Sequence, residues 1–266
     1  MKIELLKKII TDNRRLISRI EYIERDIILD NNLNYVFVGL RQAGKSYLMY
    51  QRIHKLLRDG HQMDEIVYVN LDDERLFDIT LDDLDLILQS LYQLNECKLI
   101  IFLDEILYIT HWEHFARRLA NEQYRVYLTG SNAKMLSSEV ATTLGGRYMI
   151  QEVYPYSLVE YLKANNMILK NNWEYDSEIV NHIQRIFPSY FYYGGFPESV
   201  RLVEKRSWLS VLFQKIFLGD LIARYKVRNE TSLKLLVKKL SESINQPSSF
   251  NRLANIVSSA GQKIQT

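Results

Sequence analysis

The 266-residue sequence contains one cysteine, four prolines and ten glycines. A single cysteine, Cys97, excludes an internal disulfide framework and any zinc site built from several cysteines. The low content of glycine and proline excludes a collagen-like chain and a proline-rich linker region. Apolar residues make up 47% of the chain and charged residues 25%, which is typical of a folded globular protein and excludes a disordered one.

Long hydrophobic runs are also missing. The longest candidate, Leu99–Ile109, is shorter than the roughly 20 apolar residues of a membrane span and is interrupted by Asp104 and Glu105. The chain begins with charged residues every few positions in Met1–Lys8, where the apolar core of a signal peptide would lie. We therefore expect a soluble, cytoplasmic protein without a membrane partner.

Neither sign of charge dominates, since the net charge is only +2, but the charges are unevenly distributed. Residues 62–105 contain twelve acidic and two basic side chains, whereas residues 201–240 contain ten basic and three acidic ones. This asymmetry indicates either two surfaces with different partners or the solvated faces of several helices. The net charge by itself does not indicate nucleic-acid binding.

Short apolar segments alternate with helical patterns in the first 150 residues, which predicts an α/β fold with a parallel sheet covered by helices on both faces. The predicted strands are Tyr35–Val38, Glu65–Val69, Leu99–Leu103, Val126–Leu128 and Tyr148–Ile150. Apolar residues recur at helical spacing between these strands, and the residues before position 30 also read as helix.

From Pro155 onward the pattern becomes helical, with no convincing strand up to Ile222. A further unit follows, with predicted helices at Leu233–Ile244 and Phe250–Val257. Residues 252–266 have the spacing of a helix-turn-helix. The second part of the chain is therefore expected to be all-α.

The strongest functional signal is a P-loop pattern between the first predicted strand and the helix after it. Its eight residues run Gly39-Leu-Arg-Gln-Ala-Gly-Lys-Ser46. Glycines allow backbone N–H groups to turn towards phosphates, and the amino end of the following helix favours negative charge. In this pattern Lys45 reaches the β- and γ-phosphates, and the hydroxyl of Ser46 ligates Mg²⁺. The residues expected to bind the nucleotide are Gly39, Arg41, Gln42, Ala43, Gly44, Lys45, Ser46 and Tyr47.

Two acidic residues, Asp104 and Glu105, follow the third predicted strand. Open α/β sheets gather their ligands at the carboxyl ends of the strands, so both side chains are expected near the P-loop. Asp104 is predicted to hold Mg²⁺ through its water shell. Glu105 is predicted to orient the attacking water and to remove its proton as the general base.

Two further positions are candidates for catalysis. Asn132, with Ser131 as the alternative, follows the fourth predicted strand, where an amide can contact both Glu105 and the γ-phosphate. The other interpretation is that Ser131 or Asn132 caps a helix. Arg147 precedes the fifth strand and is a candidate arginine finger for a neighbouring subunit. A surface arginine paired with a local carboxylate is the alternative for Arg147.

These motifs occur in one order along the chain and continue into Tyr154-Pro-Tyr-Ser-Leu-Val-Glu-Tyr161 and Tyr193-Gly-Gly-Phe-Pro-Glu198. In this order the sequence resembles the prokaryotic AAA-type (AAA+-like) P-loop ATPases, which join an ATPase core to a helical lid, a winged helix and a further C-terminal domain. The resemblance covers nearly the whole chain. It implies the strand order 5-1-4-3-2, ATP as the ligand and Mg²⁺ as the cofactor. It also implies that Pro197 lies on the adenine side of the nucleotide.

The resemblance also predicts three domains: a P-loop ATPase core at residues 1–155, a helical lid at 156–228 and a partial winged helix at 229–266. Because the chain reaches Thr266 within what should be the recognition helix, we expect an incomplete winged helix. A winged helix beside the basic residues of 201–240 suggests DNA or a protein as a partner. The polar faces of lid helices explain the same basic residues equally well.

Aromatic residues cluster in the predicted lid. They are Phe187, Tyr190, Phe191, Tyr192, Tyr193 and Phe196. Exposed aromatic side chains can stack on the bases of single-stranded nucleic acid. Packing inside a small helical domain is the interpretation that we favour.

Together the motifs predict Mg²⁺-dependent binding and hydrolysis of ATP, coupled to movement of the lid and the winged helix, in a possible homo-oligomer. The alternative is a nucleotide-gated switch, which uses ATP to hold one conformation for a DNA or protein partner and has little turnover. A small-molecule kinase is a third hypothesis. The acidic pair Asp104–Glu105 and the lid motif at Gly195–Pro197 argue against it.

Overall fold

The computed structural model describes residues 3–92, 99–130, 142–217, 222, 229–244 and 249–259. The chain separates into two compact units, Met1–Lys205 and Arg206–Thr266. The predicted bounds of the core, the lid and the winged helix stay a prediction, since this division into two parts does not test them. Within the described residues, no helix is both long and apolar enough to cross a membrane.

The first unit is built on a five-stranded sheet. Its strands are β1 (Asn34–Val38), β2 (Ile66–Asn70), β3 (Ile100–Asp104), β4 (Arg125–Gly130) and β5 (Tyr148–Glu152). Neighbouring strands all run parallel, in the order β2-β3-β4-β1-β5. This is the predicted order 5-1-4-3-2 read from the opposite edge, so the predicted α/β fold class is confirmed.

Helices cover both faces of the sheet. They are α1 (Ile3–Ile17), α2 (Lys45–Arg58), α3 (Leu84–Tyr92) and α4 (Trp112–Asn121). Successive residues of a strand point to opposite faces. In β1, Val36 and Val38 join the apolar cluster formed with α1, α3 and α4, whereas Tyr35 and Phe37 join the cluster formed with α2. The strand is therefore apolar at each of these positions because both of its faces are buried.

The described residues after 155 contain helices and no strand, in agreement with the sequence pattern. The α-helices are α5 (Leu158–Ala164), α6 (Ser177–Tyr193), α7 (Lys205–Gln214), α8 (Glu230–Glu242) and α9 (Phe250–Ser259). Ser157 begins α5 through a capping box with Glu160. Residues 260–266, which would complete the predicted helix-turn-helix, lie outside the described part of the chain.

The aromatic residues of α6 are more exposed than expected. The exposed side chains are Phe187, Phe191, Tyr192 and Tyr193. For these four, the expectation that they pack inside the helical region is wrong. The side of α6 that meets α5 carries Tyr190 instead, whose ring lies 5.2 Å from the ring of Tyr161.

The carboxyl ends of the parallel strands meet at one edge of the sheet, as predicted. β1 leads directly into Gly39, and β3 ends at Asp104. β4 ends one residue after Thr129, which lies opposite Phe37 in the register of β1 and β4. The sheet therefore brings the P-loop and the acidic pair to the same edge.

Gly195, which follows α6, lies against the backbone of Tyr156, which precedes α5. Its carbonyl oxygen accepts a hydrogen bond of 2.7 Å from the N–H of Tyr156. A Cβ atom on Gly195 would lie 2.1 Å from the carbonyl oxygen of Tyr156. No side chain fits at this position unless the two segments separate.

We expect Gly195→Ala to lower the free energy of unfolding by about 2 to 3 kcal/mol, because the added methyl group forces packed backbone apart. Gly60→Ala is the control, since Gly60 has a positive φ of 102° but no atom within 4 Å of its Cβ position. Urea unfolding of the two variants measures the difference. Because alanine at φ 102° is itself strained, Gly60→Ala is expected to lose about 1 to 2 kcal/mol, and a loss in Gly195→Ala no larger than that would contradict the steric explanation.

Candidate functional site

The P-loop connects β1 to α2 and owes its shape to two glycines. A Cβ atom on Gly39 would lie 2.2 Å from the carbonyl oxygen of Val153, so no side chain fits there. The loop then passes through left-handed conformations at Gln42 (φ 60°) and Gly44 (φ 97°), and Gly44 directly precedes α2. Glycine adopts such a conformation without the steric cost that a side chain brings. The amino end of α2, which favours negative charge, therefore follows the loop directly.

Lys45 is the first residue of α2, and it exposes only 4% of its surface. Its ammonium group donates hydrogen bonds to the carbonyl oxygens of Gly39 at 3.2 Å and Leu40 at 3.0 Å. The same group lies 3.9 Å from a carboxylate oxygen of Glu105. The side chain thus bends back over the P-loop, so that one buried cation faces both the loop and the end of β3.

Asp104 ends β3 and is almost completely buried. One carboxylate oxygen accepts a hydrogen bond of 2.6 Å from the hydroxyl of Tyr68, and the other accepts one from the hydroxyl of Thr129. These donors belong to β2 and β4, so the carboxylate is fixed from both neighbouring strands. Burial, followed by the negative charge of Asp104, raises the pKa of Tyr68 well above its ordinary value and keeps the phenol protonated.

The residues predicted to hold Mg²⁺ offer oxygen ligands only, which is the kind of ligand that this ion prefers. Ser46 carries a hydroxyl in the first turn of α2, and Asp104 carries a carboxylate at the end of β3. Each oxygen of Asp104 accepts one hydroxyl group and keeps a further lone pair for a metal-bound water. The donor set therefore fits Mg²⁺ that is held through water on the Asp104 side.

Glu105 adopts a left-handed backbone conformation, with φ 55° and ψ 44°. Such a conformation costs a non-glycine residue about 1 to 3 kcal/mol. It is held by a hydrogen bond of 2.8 Å from the N–H of Glu105 to the hydroxyl oxygen of Thr129. Thr129 therefore contacts both acidic residues, because the same hydroxyl donates to Asp104.

The electrostatic surroundings of Glu105 are those expected of a general base. Burial raises the pKa of its carboxyl above the ordinary value. The positive charge of Lys45 opposes this effect, the negative charge of Asp104 adds to it, and the positive charge of Arg41 again opposes it. A carboxylate whose pKa is raised towards the working pH is a more effective proton acceptor than an exposed glutamate.

The other residues of the predicted nucleotide site surround the loop to different degrees. Ala43 is buried, whereas Gln42 and Tyr47 are exposed. Arg41 is half-buried. Its positive charge acts on Glu105 and partly opposes the rise in the pKa of that carboxyl. The ring of Tyr47 packs edge-on against that of Tyr50 at 5.5 Å.

Pro197 lies against the P-loop. Its Cγ atom is 3.6 Å from the position that a Cβ atom on Gly44 would take. The neighbouring Gly195 is held in place by its hydrogen bond with Tyr156. The structure therefore brings Pro197 next to the loop, while its contact with adenine stays a prediction.

Sequence reasoning missed Arg25, which is buried beside the P-loop. Its guanidinium group donates to the carbonyl oxygen of Ala43 at 3.1 Å and to the two carboxylate oxygens of Glu160 at 3.0 and 3.2 Å. Arg25 lies in an irregular segment between α1 and β1, where no motif distinguishes it. Glu160 did carry a signal, since it has capping-box spacing from Ser157.

Two predicted catalytic residues remain, Asn132 and Arg147. Asn132, like the alternative Ser131, lies outside the described residues, so its sensor role stays a prediction. Arg147 is exposed and donates to the carbonyl oxygen of Gly145, in its own turn, at 3.3 Å. This acceptor is a backbone carbonyl rather than the local carboxylate of the alternative interpretation. The finger role of Arg147 towards a neighbouring subunit also stays a prediction.

Comparison with known proteins assigns a domain family to part of the first unit. Residues 31–162 match the family model described as an AAA domain. An uncharacterized protein of Methanocaldococcus jannaschii, MJ1544, is 30% identical over 269 residues, which cover 98% of this chain and 58% of that protein. An uncharacterized protein of Haemophilus influenzae is 29% identical over 252 residues, which cover 93% of this chain and 61% of that protein. The chain therefore spans about three fifths of the length of these curated relatives.

Solved structures with some likeness include AMPPCP-bound DnaA from Aquifex aeolicus and an Hsp104:casein complex from S. cerevisiae. The DnaA structure is 14% identical with a TM-score of 0.38, and the match covers 94% of this chain and 81% of that one. The Hsp104 structure is 16% identical with a TM-score of 0.44, and the match covers 96% of this chain and 48% of that one. At this distance, neither structure assigns a role to a residue of this chain.

The family model spans all five strands, the P-loop and the acidic pair at the end of β3. The parallel order of the strands is the one that the sequence resemblance predicted. Residues 31–162 therefore form an AAA domain, the kind of domain that the sequence resemblance to the AAA+-like P-loop ATPases predicted.

Proposed function

We propose that the chain binds ATP with Mg²⁺ and hydrolyses it, and that hydrolysis drives movement of the lid and the winged helix against the core. The observation that carries this proposal is the pair of Lys45 and Glu105, whose charged groups lie 3.9 Å apart. One is a buried cation that bends over the P-loop, and the other is a carboxylate with a raised pKa. Such a cation can stabilise the charge on a terminal phosphate, and such a base can take the proton of the attacking water.

Binding is assigned to the P-loop and the residues around it. The backbone of the loop and the amino end of α2 receive the phosphates. The ammonium group of Lys45 exchanges the carbonyl oxygens of Gly39 and Leu40 for phosphate oxygens. Pro197, which lies against Gly44, offers an apolar surface to the base.

Hydrolysis is assigned to Glu105. Its carboxylate takes a proton from a water molecule as the water oxygen bonds to the γ-phosphorus and the bond to the ADP oxygen breaks. Thr129 fixes the base, because its hydroxyl contacts both Glu105 and Asp104. Mg²⁺, held by Ser46 and through water by Asp104, would neutralise charge on the phosphates.

Partners form the remaining part of the proposal. Arg147 is exposed and would add positive charge at the active site of a second copy of the chain, which makes a homo-oligomer the expected active form. The winged helix would contact DNA or a protein. Helix α8 contributes three lysines that suit a phosphate backbone, Lys234, Lys238 and Lys239.

The test is ATP turnover by the purified chain with Mg²⁺, measured across a range of its own concentration, with Lys45→Ala as the blank. Turnover above the blank supports hydrolysis. If turnover per chain also rises with concentration, a neighbour supplies a catalytic group, and Arg147→Ala is expected to remove that rise. Tight ATP binding without turnover above the blank would favour the nucleotide-gated switch. A chain that does not bind ATP would contradict both.

A further inference from the structure

Arg25 is fixed to the helix that follows the P-loop. Its N–H donates to the side-chain oxygen of Gln51 at 2.9 Å, and its carbonyl oxygen accepts from the side-chain nitrogen of Gln51 at 2.9 Å. Gln51 lies in α2, the same helix that begins with Lys45. Although Arg25 belongs to an irregular segment, its backbone is therefore tied to α2.

The guanidinium group of Arg25 connects the P-loop to the stretch that leads into α5 and to α5 itself. It donates to the carbonyl oxygen of Ala43 in the P-loop at 3.1 Å and to that of Tyr154, just before α5, at 2.7 Å. It also forms a two-pronged ion pair with Glu160 in α5, at 3.0 and 3.2 Å. Because the guanidinium is planar and rigid, the positions of these acceptors depend on one another.

Glu160 carries the connection into α5. One of its carboxylate oxygens accepts the N–H of Ser157 at 2.8 Å, so the same side chain holds Arg25 and the start of the helix. Burial alone would raise the pKa of Glu160, but hydrogen bonds from Arg25 and Ser157 outweigh it and lower the pKa. Glu160 is therefore ionised at neutral pH and forms a full ion pair.

Tyr156 extends the connection to the adenine side. Its ring centre lies 5.4 Å from the guanidinium carbon of Arg25, and its N–H donates to the carbonyl oxygen of Gly195. Pro197, two residues further on, packs against Gly44 of the P-loop. The segments that would face the base and those that would face the phosphates thus meet at one arginine.

We propose that Arg25 is the positioning residue that couples occupancy of the P-loop to the position of α5. A change in the orientation of the Ala43 carbonyl on phosphate binding moves one acceptor of the guanidinium, and its rigid plane passes the change to Glu160. The inference rests on the proposed function, since it concerns the response of the same site to ATP. A buried ion pair that served only as a brace would stabilise the fold without passing on any such response.

Hydrogen–deuterium exchange of α5, with and without ATP and Mg²⁺, tests the coupling in wild type and in Arg25→Lys. Lysine keeps the charge opposite Glu160 but lacks the planar fork that holds Ala43 and Tyr154 as well. We expect ATP to slow exchange in wild-type α5 by about tenfold, a usual size for coupling between sites, and to leave it unchanged in the variant. Because coupling is reciprocal, the affinity of Arg25→Lys for a fluorescent ATP analogue is expected to be lower than that of wild type, by up to the same factor.

Arg14→Lys is the matched control. Arg14 also binds one carboxylate and two carbonyl oxygens, provided by Asp64 and Ile66. Ile66 begins β2, so these contacts lie at the amino edge of the sheet, opposite the P-loop. Arg14→Lys is expected to keep the full response of α5 to ATP. Glu160→Gln is a second test variant. Glutamine can retain the capping box through its one oxygen, but it loses the charge and one of the two oxygens that accept from Arg25, so it is expected to lose the response.

Three results are distinguishable. The same ATP response of α5 in wild type, Arg25→Lys and Glu160→Gln would overturn the coupling while leaving ATP binding intact. A wild type that binds the ATP analogue without any change in α5 would overturn it too. If the wild type binds no ATP analogue, the proposed function itself fails. Should Arg25→Lys not fold, Glu160→Gln decides between these outcomes.

Discussion

Replacing Lys45 by alanine is expected to lower ATP turnover by about a hundredfold to a thousandfold, the usual effect of losing one preorganised group that stabilises developing charge. The ammonium group is buried, so its attraction to a phosphate is less screened than that of a surface lysine. The affinity for ATP is expected to fall by about tenfold to a hundredfold, since a hydrogen bond to a charged group is lost. The loop loses the hydrogen bonds that Lys45 donates to Gly39 and Leu40, but it keeps the close approach of Gly39 to Val153, so we expect the loop to persist.

Lys55→Ala is the matched control for this prediction. Lys55 lies in the same helix, α2, with an exposed side chain, so its replacement removes the same charge away from the loop. Phosphate release and titration with a fluorescent ATP analogue measure the two effects. Equal losses in Lys45→Ala and Lys55→Ala would assign the effect to the charge of α2 rather than to the P-loop. Unchanged turnover in Lys45→Ala would contradict the assignment of the site.

The sheet and the P-loop could be predicted because their signals are local. Val36 and Phe37 are adjacent in β1 yet face different apolar clusters, and a strand buried on both faces reads as a continuous apolar run. The P-loop is eight consecutive residues, Asp104 ends the strand that positions it, and Glu105 directly follows that strand. The order of the strands came from the family resemblance, since apolar periodicity does not determine which strands are neighbours.

The supports of the site could not be predicted, because their partners are distant in sequence. Arg25 binds Ala43 and Glu160, which are 18 and 135 residues away. Arginines are mostly exposed, so nothing in the sequence distinguished this one from a surface residue. Tyr68 and Thr129 are similar cases, since they meet at Asp104 only through the register of β2, β3 and β4.

The lid region shows a different limit. Helical periodicity indicates where apolar side chains recur, but it does not indicate whether another element covers them. Phe191 and Tyr192 were therefore expected to pack inside, and the structure leaves both exposed. Tyr190, from the same aromatic run, is the residue that meets α5, through the ring of Tyr161.

Glu105→Gln is expected to lower ATP turnover by about a hundredfold to ten-thousandfold while ATP binding is retained. Glutamine has nearly the same shape and can keep the N–H contact of residue 105 with Thr129, but it cannot accept the proton of the attacking water. Lys45 and the P-loop are untouched, so the nucleotide stays bound without being consumed. A nucleotide-gated switch with little turnover would respond barely at all to the same change.

The same substitution is expected to stabilise the nucleotide-free protein at neutral pH. The pKa of Glu105 is raised in the folded chain, because burial disfavours the carboxylate more than Lys45 and Arg41 favour it. The folded state therefore binds this proton more tightly than the unfolded state. The resulting stability is fully present below the ordinary glutamate pKa of about 4.3, and it is lost as the pH rises through the folded-state pKa. Glutamine resembles the protonated carboxyl and shows no such loss.

Urea unfolding of wild type and Glu105→Gln, from about pH 4 to about pH 8, measures this difference. The variant should have the larger free energy of unfolding at the upper end, and the two proteins should converge at the lower end. Glu174→Gln, at an exposed glutamate, is the control and should show no pH-dependent gain. If Glu105→Gln is less stable than wild type at neutral pH, the predicted effect of burial is wrong. If Glu105→Gln retains full turnover, Glu105 is not the general base. If stability rises while turnover is lost, the carboxylate is held in an environment that opposes its charge, and that environment makes it a base.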